Sequence, residues 1–475
     1  MSPPIYLRLA DSLEAMIRRQ SLRPGDKILS VRSFSAAQRV SVPTALNAYA
    51  TLEARGLIEA RPKSGYYVAA PAADSIPALL RSQTAPKVSD LAHSDPLEQL
   101  RADQEQPGIV QLGTALPAPS LLPGVRLARL IGTVARRLGP ASINFEVMAG
   151  SLALRREIAR RALSAGITVA SPDEILITSG ATEAVSLALR ATCMPGDTVM
   201  VESPTFYGLL RQLREHHLKA LPIPVGPGYG ICLDAAAAAL ARHKVSAMLL
   251  VPNFHNPVGY VMPDENKREL VRLAACRGIP IIEDDVYGEI QHRGPRPHVL
   301  RAQAVDDNIL YLSSFTKTLA PGYRVGYIMG GKWHARLLAL KKTQTGASPL
   351  LPSLAIAEYL RDGGYDRYLR SYREACRRQV AAMRDAIGRS FPAEMRLSRP
   401  EGGFVLWCEM PLRVDSLELF RKARAAGISF APGPLFSADN GFRNFMRLNC
   451  GFPPTPEIDR AIGILGHLIR EAAKS

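Results

Sequence analysis

Apolar and polar positions follow one rhythm near the start of the chain and another beyond about residue 108. "YLRLADSLEAMIRR" (6–19) sets Leu9, Leu13 and Ile17 on one face of a helix. A turn, "LRPGDK", follows. "SVRSFSAAQRV" predicts a second, short helix with Ser30 as N-cap. "SVPTALNAYATLEARG" predicts a third, opened by Ser41 and stopped by Gly56. On that third helix Ala45, Tyr49 and Leu52 share the buried face, which leaves Val42, Thr44 and Asn47 more exposed. "LIEARPKSGYYVAA" then alternates as two short strands around a basic tip. Helix, helix–turn–helix and β-hairpin together make a winged helix-turn-helix layout over residues 1–70.

Residues 71–107 are rich in Ala, Pro, Ser and Asp and read as a linker holding at most one short helix. Beyond them the rhythm changes. "EILITSG", "DTVMVE", "SAMLLVPNF", "IPIIEDD" and "NILYLSSF" are short apolar runs, each closed by turn residues and separated by helical segments. Unbroken apolar strands of this kind are buried on both faces, so the sheet is mostly parallel and the domain α/β. After about residue 345 a long helical stretch gives way to "RLSRPEGGFVLWCEM" and "GISFAPGPLF", a smaller α+β lobe. No internal repeat is evident.

A chain of 475 residues exceeds one ordinary core and fits this multidomain division. No apolar run approaches the roughly 20 residues of a membrane helix, and the amphipathic, acid-containing N-terminus does not read as a signal peptide. Six scattered cysteines without a C-x-x-C pair argue against a disulfide framework or zinc site and suit a reducing cytoplasm. The net charge of +16 is spread over the chain. Residues 1–70 carry ten Lys/Arg against five Asp/Glu, a mild excess for meeting a polyanion.

Candidate chemistry sits at strand ends, where α/β folds keep their sites. "ILITSGATEAVSLAL" is strand, Gly180-Ala181-Thr182, helix: either an ordinary turn or a set of free N–H groups for a phosphate. "VPNFHNPVGY" offers Asn256 before a proline, as a hydrogen-bond donor or a turn residue, with His255 as a turn or lining residue. "IIEDDVYGEI" offers Glu283, Asp284, Asp285 and Tyr287. These could pair a protonated pyridine nitrogen and its ring oxygen, bind a divalent ion, or form a solvated loop. "SSFTKTLAPGYRVGY" surrounds Lys317 with hydroxyls and adds Arg324 as a phosphate-pairing charge.

The ordered set resembles fold-type I pyridoxal-5′-phosphate (PLP) enzymes of the class I/II aminotransferase family, over roughly residues 108–475. The resemblance implies that Lys317 carries the internal aldimine. Asp284 holds the pyridine nitrogen protonated, and Tyr287 and Asn256 bond the ring oxygen. Gly180, Ala181, Thr182, Ser314 and Arg324 hold the phosphate, Tyr207 stacks on the ring, and Arg447 clamps a substrate carboxylate. Phe145 departs from the pattern: it stands where a tyrosine usually lends its hydroxyl to the partner subunit's cofactor.

Residues 1–70 resemble the GntR-type winged helix. In that likeness Arg32, Ser41, Thr44 and the wing tip Lys63-Ser64-Gly65 meet double-stranded DNA, although Leu29 replaces a usual proline. The two halves in this order resemble the MocR subfamily of bacterial regulators. The likeness implies a cytoplasmic, homodimeric, PLP-dependent transcription regulator that senses an amino acid or amine through Lys317. The alternative is a working aminotransferase with secondary DNA binding.

Overall fold

The computed structural model describes residues 4–18, 21–22, 25–54, 57–61, 64–68, 76–91 and 95–474. They fall into two compact units, residues 1–75 and 76–475. The expected stop at Gly56 and the wing-tip Lys63 lie outside the described residues.

In the first unit, helices α1 (Ile5–Arg18), α2 (Val31–Gln38) and α3 (Val42–Ala54) precede an antiparallel hairpin of β1 (Ile58–Arg61) and β2 (Gly65–Val68). The predicted apolar faces meet in one core. Ala45, Tyr49 and Leu52 are fully buried with Ala10, Phe34 and Val68, and Leu9, Leu13 and Ile17 pack against them. Tyr49 donates its hydroxyl to the Leu29 carbonyl at 2.8 Å, tying α3 to the start of α2. Both helix starts are capped by serine: Ser33 N–H donates to Ser30 Oγ at 3.1 Å and Thr44 N–H to Ser41 Oγ at 3.2 Å.

The second unit is built on an eight-stranded sheet. In chain order its strands are β4 (Ile175–Thr178), β5 (Thr198–Ser203), β6 (Lys219–Gly226), β7 (Gly230–Ile231), β8 (Ala247–Leu250), β9 (Ile281–Asp284), β10 (Ile309–Ser314) and β11 (Gly326–Met329). Their spatial order is β4-β11-β10-β9-β8-β5-β6-β7. All neighbouring pairs are parallel except those made by β11, which runs against both β10 and β4, and the β6–β7 hairpin. The five apolar runs are β4, β5, β8, β9 and β10, buried almost throughout, as expected for strands covered on both faces.

A smaller antiparallel sheet follows, in the order β12 (Arg396–Leu397), β13 (Val405–Glu409), β16 (Phe445–Asn449), β15 (Ala431–Pro432). Strand β14 (Ile428–Ser429) pairs in parallel with β3 (Val110–Gln111), so this lobe also recruits chain from well before residue 345.

The segment expected as a linker is part of the second unit from residue 76 onward. Ser89 exchanges both backbone hydrogen bonds with Ala220 of β6, at 2.9 and 3.0 Å, and Ser82 N–H donates to the Val225 carbonyl at 2.9 Å. Leu79, Leu97 and Leu100 are buried, the last two on the helix Asp95–Ala102. Composition misleads here because a sheet edge binds backbone rather than side chains.

Candidate active site and nucleic-acid interface

Three strand ends and two helix starts converge on a cavity of about 640 Å³. Lys317 projects into it from the turn after β10. Asp284 ends β9, Asn256 follows β8, and Tyr207 opens the helix Tyr207–Glu215 after β5. Ala181 and Thr182 begin the helix Ala181–Thr192 after β4, with Ser314 and Arg324 beside them. Gly180 lies directly beneath Arg324, and Arg447 is fully buried on β16. The cavity wall thus holds Ala181, Thr182, Tyr207, Asn256, Asp284, Tyr287, Ser314, Lys317 and Arg324, with Gly180 against Arg324 and Arg447 bonded to Asn256 behind it, whereas His255, Glu283, Asp285 and Phe145 lie outside it.

Lys317 donates to the Ala115 carbonyl at 2.6 Å. Burial lowers its pKa to about 8, helped by the Arg447 and Arg324 charges and opposed by Asp284. At pH 7.5 such an amine is roughly one-quarter neutral, against about one part in a thousand for a free lysine. Incorporation of PLP into the apo protein should accordingly quicken as pH rises towards about 8 and level off above it, followed by the visible absorbance of the bound cofactor. A rate that keeps climbing to pH 10 would mean that the amine is not depressed.

Asp284 is 6% exposed. Its Oδ1 accepts from Val286 N–H at 3.2 Å. Burial raises its pKa to about 7, and nearby Asp285 and Glu202 push the same way. A carboxyl in this state gains most from a cationic partner. The Tyr287 hydroxyl is buried without a hydrogen-bond partner, and burial pushes its pKa up. Asn256 accepts from Arg447 Nη1 at 3.2 Å, while Arg447 Nη2 donates to the Gly113 carbonyl and Nε has no partner.

The three consecutive acids diverge, which removes the metal-site reading of this motif. Glu283 accepts from the backbone N–H groups of Leu300 and Arg301 at 2.6 and 2.9 Å. Asp285 takes Arg296 at 2.6 Å and the Tyr311 hydroxyl at 2.9 Å. Among the described residues no group of three His, Cys, Asp or Glu could hold a metal ion. His255 is also buried, stacked on Tyr260 at 4.5 Å, and contributes no wall of the cavity.

Two glycines shape the Arg324 end of the cavity. Gly180 has φ +81°, and a Cβ there would lie 2.6 Å from Arg324 Nη2. Opposite it, a Cβ on Gly326 of β11 would lie 2.8 Å from Gly180 Cα. The close pairing lets Arg324 lie over the helix start, donating to the Ser179 carbonyl at 3.1 Å and to Thr316 Oγ1 at 3.4 Å. Beneath the loop, Glu183 accepts from Ser179 N–H and pairs with the buried Lys341 at 3.4 Å.

This donor set fits PLP. Helix-start N–H groups, hydroxyls and Arg324 suit a phosphate. Tyr287 and Asn256 suit a phenolic oxygen, and Asp284 suits a protonated pyridine. Sequence reasoning missed Phe206, whose ring lies 4.6 Å from that of Tyr207 and also walls the cavity. Phe206 lies beside Tyr207, and that adjacency is its one signal in the sequence. Thr316, one of the hydroxyls beside Lys317, lies 2.8 Å from the Ser314 hydroxyl. Phe145, the departure from the family pattern, is 97% exposed.

In the first unit, Arg32 is exposed on α2. Ser41 and Thr44 bond each other through their hydroxyls at 2.8 Å as part of the α3 cap. Ser64 and Gly65, with φ +108°, form the exposed turn of the hairpin. Ser64 Oγ lies 2.7 Å from the Tyr67 hydroxyl, and the Arg61 guanidinium sits 4.3 Å over the Tyr67 ring. Among the described residues no helix is long and apolar enough to cross a membrane.

Comparison with known proteins agrees with both halves. Residues 138–465 match the family model "Aminotransferase class I and II", and residues 5–68 match "Bacterial regulatory proteins, gntR family". The uncharacterized HTH-type transcriptional regulator YjiR of Escherichia coli is 37% identical over 98% of this chain and 99% of its own. The 2-aminoadipate transaminase of Thermus thermophilus is 30% identical over 77% of this chain and 91% of its own. Among solved structures, LysN, an alpha-aminoadipate aminotransferase of Thermus thermophilus, aligns with a TM-score of 0.74 at 28% identity. That alignment covers 80% of this chain and 96% of LysN.

Proposed function

The chain belongs to the aminotransferase class I and II family, with a gntR-family domain at its N-terminus, and on that premise we propose a transcription regulator that senses an amino compound covalently through Lys317. The observation that carries the reading is the likeness along nearly the whole chain to an HTH-type regulator, combined with a complete amine-reactive site. PLP is the implied cofactor. When bound, it supplies an electrophilic carbon for primary amines and an electron-withdrawing ring.

The chain's own residues set the conditions. Lys317 offers an amine that is partly neutral near pH 7.5. Asp284 holds the ring nitrogen's proton, and Tyr287 and Asn256 donate to the ring oxygen. Gly180, Ala181, Thr182, Ser314 and Arg324 hold the phosphate, Tyr207 and Phe206 cover the ring, and Arg447 orients an amine by its carboxylate. Double-stranded DNA is met through Arg32, Ser41, Thr44 and the wing tip at Lys63, Ser64 and Gly65.

A second copy of the chain covers Ile143 and Phe145, which stand 89% and 97% exposed on one short segment. Phe145 brings it apolar surface but no hydroxyl. A ligand acts as an effector only if it favours one arrangement of the protein over another. A second reading, turnover of amino acid with oxo acid, is favoured by the intact set around Lys317 and by the transaminase relatives.

The test is binding of the purified, PLP-loaded protein to duplex DNA with and without a panel of amines, alongside a transamination assay. Arg32→Ala should weaken DNA binding about ten-fold, the loss of roughly one charge-assisted phosphate contact, with the cofactor absorbance unchanged. Rapid multi-turnover transamination with no specific DNA binding would sink the regulator reading.

A further inference from the structure

The exposed side of α3 carries almost no polar chemistry. Val42 and Leu46 are 47% and 48% exposed, and Pro43, Asn47 and Ala50 are exposed beside them. A helix face turned to solvent ordinarily bears charges; this one bears the Asn47 amide and no ion before Glu53, half-buried in the last turn, whose Oε1 accepts from Ala60 N–H at 3.3 Å. Between Asp26 and Glu53 the charge along the chain has one sign: Lys27, Arg32 and Arg39, with no acidic residue. An uncharged apolar strip within a basic surround is complementary to a groove floor flanked by phosphates.

Base edges in the major groove offer one apolar group, the C5-methyl of thymine. We propose that α3 reads T·A base pairs through these methyls, with Val42 and Leu46 as the specificity-determining residues. The inference rests on the DNA-binding reading above and goes beyond it by naming what is read. Val42 and Leu46 stand about 6 Å apart along the helix axis, within reach of neighbouring base pairs spaced about 3.4 Å. Asn47 lies next to them, and its amide suits the N6/N7 edge of the adenine in such a pair. Ser41 and Thr44, which meet DNA in the reading above, also bond each other and the α3 cap and so fix the helix start. Affinity comes from the surrounding cations and phosphates, and selectivity from the apolar strip.

The full-length, PLP-loaded protein should be used to select duplexes from a random 20-bp library. Each thymine of the selected site is then replaced by uracil, which removes only the methyl group. At the contacted positions the replacement should weaken binding about four-fold each, the value of one buried methyl group. Val42→Ala and Leu46→Ala should each abolish the thymine–uracil difference at the position its own side chain contacts, and the double variant at both, with thermal melting unchanged because both side chains are exposed. Arg32→Ala should weaken thymine and uracil duplexes by the same factor.

A selected site whose affinity ignores every thymine-to-uracil change overturns the inference and leaves DNA binding standing. Selection that enriches no sequence removes the DNA reading itself and the inference with it. If the double variant Val42→Ala/Leu46→Ala instead changes the molecular mass in solution, with DNA affinity untouched, the strip is a protein contact and the inference falls.

Discussion

Lys317→Ala should yield a folded protein that binds its DNA site and no longer answers to any amine. The substitution removes one hydrogen bond, from Nζ to the Ala115 carbonyl, which costs about 1 kcal/mol. It also removes the positive charge that partly restrains Asp284, whose pKa then rises further above its present value of about 7. Cofactor can still be held by Arg324 and the helix start, but without a covalent bond, and should pass through a desalting column with the buffer. The measurements are visible absorbance after desalting and DNA affinity with and without the amine panel. Amine-responsive DNA binding in this variant would show that sensing runs elsewhere.

Arg447→Lys should separate amines that carry a carboxylate from those that do not. Arg447 is fully buried, fixed by Asn256 and the Gly113 carbonyl, and flanked by the rings of Tyr207 and Phe436 at 5.6 and 5.2 Å. Lysine keeps the charge but not the planar fork, and it cannot hold Asn256, Gly113 and a ligand carboxylate together. The response to amino acids should weaken by about 2–4 kcal/mol, roughly 30- to 1000-fold. A simple alkylamine should lose little. An equal loss for both classes would mean that Arg447 supports the lobe rather than the ligand.

The parts of this molecule legible in its sequence are those where local pattern and environment agree. β4, β5, β8, β9 and β10 are short, apolar and bounded by turns, and β9 and β10 end in Asp284 and Ser314, which line the cavity. β6 was not legible, because Pro222 and Pro224 read as strand breakers. They are tolerated by parity. Ala220 donates to Ser89, and Pro224 accepts from Cys232, on the side away from β5, so the missing N–H groups of Pro222 and Pro224 fall on that outer side as well.

The antiparallel course of β11 also escaped, since its "GYIM" carries no mark of direction. In the site, motif residues such as Asp284 and Lys317 could be placed by type and spacing. The separate duties of Glu283 and Asp285 could not. They depend on Leu300, Arg296 and Tyr311, which only the fold brings near.

One consequence of β11 concerns how this protein can change over evolutionary time. Its reversed run places Gly326 against Gly180, two positions 146 residues apart that share one pocket of space too small for either to bear a side chain. A mutation at one cannot be rescued by shrinking the other, which is already minimal. The pair should therefore be frozen jointly in lineages that keep the site and released jointly in those that abandon it. Loss of both glycines would be a heritable record that Arg324 no longer has an anion to hold.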